Sequence, residues 1–78
     1  MKLKEIRIRA GLTQSELATK ADVKLRTIQE YECGRRVIDS AHIDTLISVA
    51  EVLEVPFYDL MEDGQRIEAI KANIKRGY

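Results

Sequence analysis

A few side chains in this sequence have the types and spacing to do chemistry, and they cluster between residues 24 and 36. Arg26, Gln29 and Glu30 recur at three- and four-residue steps, and at 100° per residue they share one helical face with Leu25 at its margin. Ile28 and Tyr31 point the other way. A basic pair, Arg35 and Arg36, follows Gly34. These groups hydrogen-bond and carry charge, but they make no catalytic set. One histidine, His42, and one cysteine, Cys33, leave no Ser/His/Asp or Cys/His arrangement, no metal cluster and no Gly-rich phosphate loop. The chain is therefore expected not to be an enzyme and to use no cofactor, metal or small-molecule substrate.

Composition narrows the partner. The 78 residues hold 13 Lys+Arg and 13 Asp+Glu, a formal net charge of zero. Binding to nucleic acid is driven by basic side chains that displace counterions from phosphates, so neutrality weighs against it at first sight. The total hides a split: residues 1–36 carry nine bases and five acids, whereas residues 37–78 carry four bases and eight acids. The basic excess therefore lies in the half that contains the helical face just described. A chain this short builds one small core. A single cysteine excludes an internal disulfide and fits a reducing, cytoplasmic setting. No apolar run exceeds four residues, so neither a signal peptide nor a membrane span is expected.

The elements that position these residues are helical. One Pro and four Gly leave few breaks, and the apolar spacing follows a 3.6-residue period. A first helix over 2–9 carries Leu3 and Ile6 and stops at Gly11. Thr13 with Glu16 reads as a capping box that opens a second helix, which buries Leu17, Ala18 and Ala21. Only Asp22–Lys24 separates it from a third helix over 25–33, ending at Gly34. A longer helix is expected from near Ser40, with Ile43, Leu46, Ile47, Ala50 and Leu53 inward, ending at Pro56. Phe57, Leu60 and Met61 form a further apolar edge before Gly64. A last helix over 65–75 carries Ile67, Ile70 and Ile74, either the last side of the core or a dimerisation seam. The organisation expected is a domain over 1–63 followed by a C-terminal helix over 64–78.

A capped helix, a three-residue turn and a second helix ending in Gly make a helix-turn-helix unit. The stretch Gly11-Leu12-Thr13-Gln14-Ser15-Glu16-Leu17-Ala18, then Thr27-Ile28 and Tyr31-Glu32-Cys33-Gly34-Arg35-Arg36, resembles the Cro/phage-repressor (XRE-type) DNA-binding family. The likeness continues through Leu46 to Val55 and covers roughly residues 3 to 61. It implies an all-α, lambda-repressor-like bundle of about five helices. It implies further that residues 25–33 lie in a DNA major groove, with residues 13–21 crossing the backbone.

Carried over by position, the resemblance makes Leu25, Arg26, Gln29 and Glu30 the base readers. Arg26 would bridge guanine O6 and N7, Gln29 would pair with adenine, Glu30 would accept from cytosine N4, and Leu25 would touch a thymine methyl. Leu25 is equally readable as core. Gln14 at a helix N-terminus, with Lys24, Thr27, Arg35 and Arg36, stands where phosphate contacts are expected. Arg35 and Arg36 taken alone also read as a solvated loop. Arg7 and Glu32 match a buried structural ion pair of the family. Cys33 is expected as a half-buried filler, and His42 as an exposed residue in the first turn of the fourth helix.

Departures from the family pattern are local. Asp22 stands where the family has a left-handed Gly. Lys24 replaces the Ser or Thr cap of the recognition helix, at a cost of about 1 kcal/mol. The loop after Arg36 lacks the family's Pro and is about three residues longer. The reading that follows is a homodimeric, sequence-specific transcriptional regulator, a repressor, on double-stranded DNA with a near-palindromic operator. The alternative is an antitoxin-type or adaptor protein with a protein partner, for which DNA binding serves autoregulation.

Overall fold

The computed structural model describes residues 2–75. Five helices run in chain order: α1 (Lys2–Arg9), α2 (Gln14–Ala21), α3 (Leu25–Glu32), α4 (Ile43–Leu53) and α5 (Gly64–Lys75). Two 3-10 turns, Ile38–Ser40 and Phe57–Leu60, lie between α3 and α4 and between α4 and α5. Among the described residues there is no strand. Residues 76–78 of the expected C-terminal element lie outside them.

Leu3, Leu17, Ile28, Leu60 and Met61 are fully buried, so α1, α2, α3 and the second 3-10 turn each commit an apolar residue to one core. α2 packs most extensively on α4 and α3. Its small, buried Ala18 and Ala21 are suited to such close approach. α1 meets α3 and the 57–60 turn, and Lys2 Nζ donates to the Met61 carbonyl at 2.8 Å. α5 packs chiefly on the same turn.

The second half departs from the expected pattern in several places. α4 begins at Ile43 rather than near Ser40, because Ile38–Ser40 winds into its own turn and His42 becomes the residue before the helix. Its buried face is Leu46, Val49, Ala50 and Leu53, while Ile43 and Ile47 are exposed. The helix ends at Leu53, three residues before Pro56, with Glu54 in the left-handed region at φ 58°. Ile67 is buried and Ile70 half-buried. Of the expected seam only Ile74 stands clear of the surface. α3 ends at Glu32, one residue early, and Cys33 is exposed rather than a half-buried filler.

Asp39 explains why the first 3-10 turn forms. Its carboxylate is buried and accepts from the Glu62 N–H at 2.8 Å and the Asp63 N–H at 2.9 Å. A buried carboxylate needs such donors. It ties the loop after α3 to the segment that leads into α5.

Candidate nucleic-acid interface

The turn between α2 and α3 is built by local hydrogen bonds that the sequence specifies. Thr13 Oγ1 accepts from the Glu16 N–H at 3.0 Å, and the Thr13 N–H donates back to Glu16 Oε1 at 2.9 Å. That return bond holds the Glu16 carboxyl below its ordinary value. At the far end Asp22 adopts φ 57°, ψ 45°, and its N–H donates to the Ala18 and Thr19 carbonyls. Asp tolerates this left-handed conformation better than most side chains. The chain thereby turns within three residues and starts α3 at Leu25. Lys24 stands at the cap position of α3 and makes no side-chain cap bond.

The roll of α3 about its axis is set from below. Arg7 Nε donates to Glu32 Oε2 at 2.7 Å and Arg7 Nη2 to Glu32 Oε1 at 2.9 Å, a bidentate pair between α1 and α3. The side chains are 11% and 3% exposed. Arg7 Nη1 also donates to the Leu12 carbonyl at 2.8 Å, and Gln14 Nε2 donates to Glu32 Oε1 at 3.1 Å. The hydrogen bond to Glu32 pushes Arg7 above its already high ordinary value, so it stays charged. α1, the start of α2 and the end of α3 thus meet on one carboxylate. The Gln14 side chain, expected at a phosphate, is here bonded to the scaffold carboxylate of Glu32.

With Ile28 and Tyr31 buried, the opposite face of α3 turns outward. Leu25 is 38% exposed, so it stands on the outer side rather than in the core. Arg26 has 80% of its side chain exposed, and Gln29 is exposed. Glu30 is different, with 14% of its side chain exposed. Its Oε1 lies 2.8 Å from Arg36 Nε and its Oε2 3.7 Å from Arg26 Nε.

Two depressions gather the residues singled out in the sequence. Gln14, Arg26, Gln29, Glu30, Cys33 and Arg35 line an open cleft beside α3. Lys24, Thr27 and Arg36 line a groove on the other side, running to Ser40, His42 and Thr45. Of the nine positions expected to meet bases or phosphates, all but Leu25 therefore line one or other of these two concavities. Ile70 and Ile74, on α5, belong to neither. Two residues were not foreseen. Asp39 carried no local signal, because its partners lie far along the chain. His42, read as a solitary exposed residue, borders the groove that holds Lys24 and Arg36.

The surface offers exposed guanidinium and amide groups on one helix face, flanked by cations. Among the described residues no group of His, Cys, Asp or Glu is arranged to hold a metal, and no helix is long and apolar enough to cross a membrane. A family model described as Helix-turn-helix matches residues 3–60, most of the chain. No curated protein and no solved structure matches it.

Proposed function

The chain belongs to the Cro/phage-repressor (XRE-type) helix-turn-helix family of DNA-binding regulators, and from that premise we propose how it reads its site. It acts in the cytoplasm as a sequence-specific repressor, a homodimer on a near-palindromic operator with half-sites about 34 Å apart. α3 enters the major groove. Leu25, Arg26 and Gln29 present an apolar contact, a bidentate donor and an amide to the base edges. Lys24, Thr27, Arg35 and Arg36 rest on phosphates to either side, and the N-terminus of α2 at Gln14 offers backbone N–H groups to another. Residues 1–63 form the reading domain and residues 64–78 a C-terminal element that contributes to dimerisation.

The observation that carries this reading is the exposure of Arg26 and Gln29 on a helix whose roll is locked by the buried Arg7–Glu32 pair. An exposed reader on a fixed helix can discriminate bases, whereas on a loose one it only adds charge. Selection of binding sites from random-sequence duplexes with the purified protein tests it. Enrichment of one short, near-symmetric sequence is expected, and no enrichment above the starting pool overturns it.

A second reading, a protein-binding antitoxin or adaptor, draws on one observation. Ile43, Ile47 and Ile74 are large apolar side chains left exposed in the acidic half. Under the dimer reading they face a second copy of this chain. Sedimentation of the purified protein separates the two: a dimer that binds DNA unaided supports the first, and a monomer that binds DNA only with a co-purifying protein supports the second.

A further inference from the structure

The glutamate on the reading face is not placed as a reader. A glutamate that accepts from cytosine must extend its oxygens into the groove, and a carboxylate has only acceptor positions to offer. Glu30 does the opposite. Its side chain is largely buried while the arginines on either side of it, Arg26 and Arg36, keep 80% and 57% exposure. Oε1 lies 2.8 Å from Arg36 Nε, an ion-pair contact without hydrogen-bond geometry, and Oε2 faces Arg26 at 3.7 Å. The main chain reinforces the arrangement, since the Arg36 N–H donates to the Glu30 carbonyl at 3.1 Å. Arg36 is thus brought to Glu30 by both its backbone and its side chain, and its exposed portion faces solvent beside Lys24 and Thr27.

Resting on the DNA-binding reading above, we infer that Glu30 is a positioning residue for DNA recognition. It aims Arg36 at the phosphate track, restrains Arg26 at the base edge and cancels one cationic charge on the interface. The cancelled charge lowers affinity for any duplex, because each phosphate neutralised adds about 0.9 to the slope of log affinity against log salt. What remains is affinity that depends on base contacts. Net neutrality of the chain and an anion on its reading face then serve one end, discrimination at the expense of non-specific grip.

The test uses the full chain, a mixed-sequence duplex and the site selected from random DNA. Glu30→Gln removes the charge and keeps the shape. It is expected to tighten binding to the mixed duplex and to steepen the salt slope by about 0.9. That slope means about 3.5-fold more affinity lost between about 50 and about 200 mM salt. The preference for the selected site over the mixed duplex should fall. Glu30→Asp keeps the charge and should keep the wild-type slope. Arg36→Ala, which uncovers the carboxylate, should lose more mixed-duplex affinity than Arg35→Ala. Loss of preference at a single cytosine position in Glu30→Gln, with the slope unchanged, would make Glu30 a base reader and overturn the inference. Equal losses in Arg36→Ala and Arg35→Ala also overturn it. Failure of the parent reading looks different, because the wild-type protein would then show no salt-dependent binding to either duplex.

Discussion

Two glutamates two residues apart on α3, Glu30 and Glu32, are each paired with an arginine, and they do different work. Glu32 turns inward and meets Arg7 in a bidentate pair from which water is nearly excluded. Glu30 turns outward to arginines that remain largely solvated. Chemistry and helix are shared, so surroundings decide the role. In the inner pair any unpartnered charge is left in a poorly solvated site, which makes the contact structural. In the outer cluster Glu30 is largely covered but both arginines are solvated, so water and salt screen the cations, the value of the cluster for stability is small and its effect falls on whatever anion approaches.

The hardest way to break this comparison is to remove one partner from the inner pair. Arg7→Ala strands the Glu32 carboxylate and should cost about 3–5 kcal/mol of stability, read from urea unfolding. Arg36→Ala, the matching change in the outer cluster, should cost under about 1 kcal/mol. Similar losses would erase the distinction. Asp39 extends the test to a buried acid with no cation. Its two backbone donors predict that Asp39→Ala costs about 1.5–3 kcal/mol and loosens the lead into α5, seen as faster amide exchange at Glu62 and Asp63.

On the outer face the loss should appear in binding rather than stability. Arg26→Ala should weaken the selected site by about 1–3 kcal/mol and relax preference at one base position, measured against single-base variants of that site. Uniform weakening on every sequence would move Arg26 to the phosphate side of the interface. The smallest effect belongs to Glu16. Its carboxyl is held below the ordinary value by the Thr13 N–H, so its folded form favours ionisation. That contribution is fully present above the ordinary carboxylate range and disappears as pH falls through the lowered value. Urea midpoints taken across acid pH should therefore slope less steeply in Glu16→Gln than in the wild type.

The first half of the fold was legible because its signals are local. The Thr13–Glu16 box, the stops at Gly11 and Gly34 and the opposed faces of α3 each depend on neighbours within four residues. The resemblance also named the Arg7–Glu32 pair, which no local pattern would reveal. The second half was harder for two physical reasons. α4 is apolar on several faces, with Ile43, Leu46, Ile47, Val49, Val52 and Leu53, so periodicity alone did not say that Val49 turns inward and Ile43 and Ile47 outward. Its start depended on Asp39, whose donors at Glu62 and Asp63 lie beyond the reach of any short window. In the site, exposure of Leu25 and the covering of Glu30 by Arg36 needed the three-dimensional path of the loop that carries Arg36.

If α3 lies in a DNA groove with its outer face toward the bases, as proposed, the lone cysteine provides a direct probe. Cys33 is exposed at the end of α3 and lines the cleft with Arg26 and Gln29. A DNA-cleaving iron chelate attached to its thiol should cut the selected duplex within a few base pairs of each half-site and leave flanking sequence intact. Cuts spread evenly along the duplex, or equal cutting of an unselected sequence, would show that α3 does not lie in the groove.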